Sequence, residues 1–100
     1  MLIVAGHVQV DPGDLDAFTA DIEALARRSR QRDGNQFYAV AVDDRDAGRL
    51  LVVERWRDQT SLAAHLRASD TRDFVARWQD RMRADILKYD ATNGRPVVED

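Results

Sequence analysis

The residues of this sequence best equipped for chemistry fall in one stretch, LLVVERWRDQTSLAAH, from Leu50 to His65. It carries a carboxylate at Glu54, an indole at Trp56 and an imidazole at His65. Imidazole titrates nearest neutral pH of all side chains, so His65 is a candidate proton acceptor, and His7, the other histidine of the chain, is a second. The stretch begins as an apolar strand, in which alternation puts Leu50, Val52, Glu54 and Trp56 on one side and Leu51, Val53 and Arg55 on the other. Asp58 reads as the N-cap of a helix that lifts Leu62, His65 and Leu66 onto one stripe. Acid, indole and imidazole are thereby brought toward one strand-to-helix corner.

The rest of the chain supplies the elements that must hold that corner. Leu2, Val4, Val8 and Val10 alternate with Ile3, Ala5, His7 and Gln9, which predicts a first strand. Asp11-Pro12-Gly13-Asp14 starts a helix, along which Leu15, Phe18, Ile22 and Leu25 draw an apolar stripe. Acidic residues crowd its beginning and Arg27, Arg28, Arg30 and Arg32 its end, as the helix dipole favours; the basic run is read as a solvated face. Gly34 closes the helix, and Asn35 to Val42 form a second strand with Phe37, Ala39 and Ala41 opposite in facing to Tyr38, Val40 and Val42. A polar hairpin loop over residues 43–48 leads into the third strand, Arg49 to Arg57. Helix is then expected from Thr60 to Arg67 and, after an interruption at Ala68-Ser69-Asp70, from Thr71 to about Arg83, with Phe74, Val75, Trp78 and Met82 facing inward. Ile86 to Thr92 make a fourth strand. Residues 1–93 then form a single domain and residues 94–100 a tail.

The order βαββαβ predicts an α+β fold, the ferredoxin-like sandwich, in which a four-stranded antiparallel sheet carries its helices on one face. The third strand is apolar on both sides, however, and helices on one face leave the other bare. So large an apolar surface points to a partner, most simply a second copy packed sheet to sheet in a homodimer.

Composition narrows the function classes. A chain of 100 residues has room for one core, and 44% hydrophobic with 33% charged residues is ordinary for a folded domain. The net charge of -3 argues against a phosphate-binding surface, and the third strand lacks aromatics on which bases could stack, so no nucleic-acid partner is expected. The absence of cysteine excludes disulfides and a thiol nucleophile, and two distant histidines give no metal-ligand spacing. The first ten residues, MLIVAGHVQV, are too briefly apolar for a leader or a membrane span, so no membrane partner and a cytoplasmic location are expected.

The run Glu54-x-Trp56-x-Asp58 followed by His65, preceded by Gly34-x-x-Phe37-Tyr38, resembles the antibiotic biosynthesis monooxygenase (ABM) domain family. The likeness extends from the first strand to the fourth. It implies a dimeric ferredoxin-like α/β barrel with a pocket between sheet and helices, suited to a flat aromatic substrate. The family includes cofactor-independent quinol and anthrone oxygenases, so the resemblance implies a monooxygenase that joins a phenolic or quinol-type substrate to dioxygen with no cofactor and no metal. Such chemistry needs a base, an apolar pocket and planar side chains. His65, Trp56 and His7 are the candidate catalytic residues, and Tyr38, Phe37, Glu54, Phe74 and Trp78 the candidate substrate-binding residues. Each has a structural alternative: Trp56 as core, His65 bonded to a backbone carbonyl or to Glu54, Glu54 as the partner of an arginine. Haem degradation, known in another branch, is disfavoured, because that branch carries Asn on the first strand and a haem-ligating His beyond the position of His65, whereas this chain has His7 and no later histidine. The remaining alternative is a non-catalytic dimeric module that binds a small aromatic ligand or assembles with a partner enzyme.

Overall fold

The computed structural model describes residues 1–98. Strand β1 (Leu2–Val10) is followed by a single 3-10 turn, Pro12–Asp14, and helix α1 (Leu15–Ser29). Strands β2 (Asn35–Asp44) and β3 (Arg49–Trp56) form a hairpin, helices α2 (Gln59–Arg67) and α3 (Ser69–Trp78) follow, and β4 (Met82–Asp90) closes the order. The four strands lie in the order β2-β3-β1-β4, every neighbouring pair antiparallel, which is the ferredoxin-like α+β topology.

Local chemistry explains the joints. The Asp11 carboxylate accepts from the Gly13 amide at 2.8 Å, with Pro12 in the first position of the turn, where its missing N–H is no loss. Asp58 caps α2 by accepting from the Ser61 amide at 2.8 Å. Ala68, extended at ψ 143°, is the sole residue between α2 and α3, so the helical break is shorter than the three residues expected.

Two corrections concern the C-terminal third. Helix α3 ends at Trp78 rather than near Arg83, and β4 begins at Met82 and ends at Asp90 rather than running from Ile86 to Thr92. Met82 does pack inward, but from a strand paired with Val10. After Asp90 no helix or strand occurs as far as residue 98; the last two residues of the expected tail lie outside the described residues.

The helices cover one sheet face and the core divides in two along it. One half packs Phe18, Phe74 and Trp78 on Val8, Val10, Leu50 and Val52. The other gathers Leu2, Val4, Ala26, Tyr38, Trp56 and Leu62, and Val40 and Ile86 touch both. The opposite face is bare: Phe37, Leu51, Val53, Leu87 and Tyr89 are 38–60% exposed there. Arg55 lies over the Phe37 ring at 5.0 Å on that face.

Candidate active site

Three elements build the second half of the core into a polar cluster. The β2–β3 register sets Tyr38 directly across from Glu54, and alternation carries Trp56 to the same side. Helix α2, started by Asp58, places His65 above them. The Trp56 indole Nε1 donates to Glu54 Oε1 at 2.9 Å. The His65 ring lies over Trp56 with centroids 4.7 Å apart and meets Tyr38 edge-on at 5.9 Å. All four side chains are enclosed, with Trp56 at 0% and His65 at 3% exposure.

Enclosure governs the acid-base character of each group. Burial raises the Glu54 carboxyl above its usual range, against the opposing pull of hydrogen bonds from Trp56 and Tyr38. Burial, with the Glu54 charge beside it, also raises the Tyr38 hydroxyl. His65 moves the other way, down to about 4, first through burial and then through the positive charge of Arg32. It is therefore neutral at neutral pH and a weak base, which corrects the expectation of a near-neutral base at this position. Glu54, by contrast, is made a stronger base than an ordinary carboxylate.

The lowered histidine has a stability consequence with a definite sign. Between pH 6.5 and about 4 the unfolded chain protonates His65 while the folded one does not, so folding loses stability as pH falls through that window. Glu54, raised rather than lowered, works in the opposite direction. Urea denaturation across that window should show the loss in the native protein and a flatter profile in His65→Asn; parallel profiles would contradict it.

Around His65 lies a polar network that the sequence did not reveal. Arg32 donates through Nη1 to His65 Nδ1, to Ser29 Oγ at 3.0 Å and to Thr71 Oγ1 at 3.3 Å, and pairs through Nη2 with Asp70. Arg28 holds the same Asp70 at 2.9 Å. Burial works to raise the Asp70 carboxyl, but its bonds to Arg28 and Arg32 outweigh that and hold it below the usual range. Arg32 was hidden within a basic run that resembles any solvated helix end, and the only sequence signal is that the run continues past Ser29. The network borders a groove of about 320 Å³ lined by Arg32, Arg57, Ser61, Ala64 and His65 among others. Close by, Gly34 adopts φ +83°, and a Cβ there would lie 2.0 Å from Ser61 Oγ, so the turn before β2 packs directly on α2.

The remaining candidates are placed elsewhere. His7 and Phe37 lie on the bare face of the sheet, where β1 pairs His7 with Leu51 and Asp85, so neither shares an enclosure with His65. Phe74 and Trp78 belong to the other half of the core, where Phe18 contacts both rings and Trp78 Nε1 donates to Asp21 at 2.8 Å. The partners of Glu54 are the Trp56 indole and the Tyr38 hydroxyl rather than an arginine, and His65 is bonded by Arg32 rather than by Glu54.

The pattern that defines the antibiotic biosynthesis monooxygenase family matches residues 1–77. The chain belongs to that family. Among curated relatives, the Bacillus subtilis protein YcnE, provisionally named a monooxygenase, is 21% identical over 86 residues, covering 86% of this chain and 90% of YcnE. Among solved structures, a Deinococcus radiodurans protein provisionally described as an antibiotic biosynthesis monooxygenase superposes with a TM-score of 0.88 at 20% identity, over 99% of this chain and 100% of that one. One from Nitrosomonas europaea, described in the same way, gives 0.81 at 18% identity over 93% and 100%. At these identities the likeness establishes the ABM fold and not the substrate. Among the described residues no group of three or more His, Cys, Asp or Glu side chains is placed to hold a metal, and no helix is long and apolar enough to cross a membrane.

Proposed function

We propose that this ABM-family chain is a monooxygenase that oxidises a phenolic or quinol-type ring with dioxygen and needs no cofactor. The observation that carries the reading is the enclosed Glu54 carboxylate, raised by burial and flanked by the Trp56 indole, the Tyr38 hydroxyl and the His65 ring. In the proposed reaction the phenol proton passes to Glu54, and the phenolate gives one electron to dioxygen. The aryloxyl radical and superoxide recombine at a ring carbon ortho or para to that oxygen that still carries hydrogen, and the peroxide takes the proton back from Glu54. Loss of that carbon's hydrogen as a proton, together with hydroxide, leaves a quinone and water. Trp56 supplies the flat wall, and the dry surroundings keep the anion and the radical pair from solvent. A substrate reaches the acid only if α2 yields, since the cluster is closed.

That closure favours a second reading, a module that binds a small aromatic ligand or assembles with another enzyme without catalysis. Oxygen-electrode measurements with a panel of quinols and naphthols decide between the two. Metal-free protein is expected to consume one dioxygen per quinone formed, and uptake no faster than the blank across the panel would overturn the oxygenase.

The proposal includes a homodimer joined through the bare sheet face, supported by its exposed Phe37, Leu51, Val53, Leu87 and Tyr89. Val53→Asp, which sets a charge in the middle of that face, is expected to convert a dimer into a monomer in sedimentation velocity runs. A native protein that sediments as a single subunit at all concentrations would end the idea.

A further inference from the structure

Arg32 follows the end of α1, yet its guanidinium is turned into the protein rather than out to water. Nη1 meets His65 Nδ1, Ser29 Oγ and Thr71 Oγ1, while Nη2 is held by Asp70, itself anchored by Arg28. A guanidinium keeps all its protons in a folded protein, so it donates and never accepts. Nδ1 must then offer its lone pair, and the one proton of the neutral ring lies on Nε2. Both polar contacts of the ring fall on Nδ1, to Arg32 and to Thr71, which leaves the Nε2–H unclaimed among the described residues.

We propose that Arg32 is a positioning residue of this site: by donating to Nδ1 it fixes His65 as the Nε2–H tautomer, so that the imidazole serves an incoming phenol as a hydrogen-bond donor to its oxygen. The inference rests on the phenol-oxidising reading and deepens it, because it divides the labour. Glu54 takes the proton, and His65 steadies the phenolate left behind. The arginine charge beyond the ring polarises the Nε2–H and strengthens it as a donor to an anion. Substrates whose oxygen ionises readily are the class this arrangement suits, and a methyl ether of the same ring is excluded because it has no proton to lose.

Heteronuclear NMR of the imidazole nitrogens in the full chain tests the assignment without any turnover. At neutral pH the native protein is expected to show His65 with an unprotonated Nδ1 and a protonated Nε2. Arg32→Met, which keeps the aliphatic stem and removes the donor, should lose that signature, and Arg32→Lys should restore most of it. Asp70→Asn and Thr71→Val, which disturb the network but leave the guanidinium on the ring, should retain it and so separate positioning from stability. An Nδ1–H or doubly protonated ring in the native protein overturns the proposal even if Arg32→Met fails to fold, and so does an unchanged tautomer in folded Arg32→Met. In a second arm, para-nitrophenol titrated into native protein should ionise more readily than in buffer, and Arg32→Met should reduce that effect about tenfold, one hydrogen bond to a charged group. Equal ionisation in the two proteins also overturns it. If the NMR and nitrophenol results hold but no quinol consumes oxygen, the oxygenase reading fails and the tautomer assignment stands; the converse result fails the assignment alone.

Discussion

Glu54→Gln is expected to slow the proposed quinol oxidation by about 10²–10⁴-fold, the usual range for removal of a positioned acid or base, while leaving the protein folded. Glutamine has nearly the same shape and keeps a carbonyl oxygen for the Trp56 Nε1 donor now held at 2.9 Å. What it loses is the ability to take a proton. Because burial disfavours the Glu54 charge, the neutral replacement should melt at the same temperature as the native protein or higher. Lost turnover without lost stability separates a chemical role from a packing role. Stopped-flow oxygen consumption together with thermal melts reads both, and full activity in the variant would move the base elsewhere.

Trp56→Ala carries the largest expected effect on stability, a loss of about 3–5 kcal/mol for a buried aromatic truncated to a methyl group. Trp56 is fully enclosed, lies tilted against His65 and donates a hydrogen bond to Glu54, so truncation opens a cavity and strips a buried acid of one of its partners. Trp56→Phe keeps most of the volume and removes the N–H. It should lose about 1–2 kcal/mol, and the difference between the two variants isolates the cavity. Equilibrium urea unfolding measures both. A change below about 1 kcal/mol in the alanine variant would mean that the site collapses to fill the space, at odds with the tight contact of ring on ring.

Much of this architecture was legible because strand periodicity is strict. Leu2, Val4, Val8 and Val10 are buried as their alternation requires, and so are Leu50, Val52, Glu54 and Trp56. Asp58 was readable as a cap because an aspartate before a helical stripe has few other uses there. The end of α3 was not readable: Met82 stands four residues after Trp78 and extends its stripe equally well as helix, with no glycine or proline between them. Pairing of Met82 with Val10, a contact distant in sequence, decides for strand. The same limit applies to His7. Alternation grouped it correctly with Ile3 and Ala5, but which face the helices cover is a tertiary fact. The Tyr38 contact of Glu54 and the Arg32 contact of His65 were missed for a related reason, since a cross-strand tyrosine and an arginine beyond a helix end become neighbours only through the register of β2 and the return of α2.

Adjacent residues of β3 look in opposite directions, one set toward the buried core beneath the helices and the next toward open surface. Saturation mutagenesis along this strand should therefore return two interleaved tolerance profiles. Substitutions at Leu50, Val52, Glu54 and Trp56 would be felt at any dilution, whereas those at Leu51, Val53 and Arg55 would, on the proposed dimer, be felt only under conditions in which subunits meet.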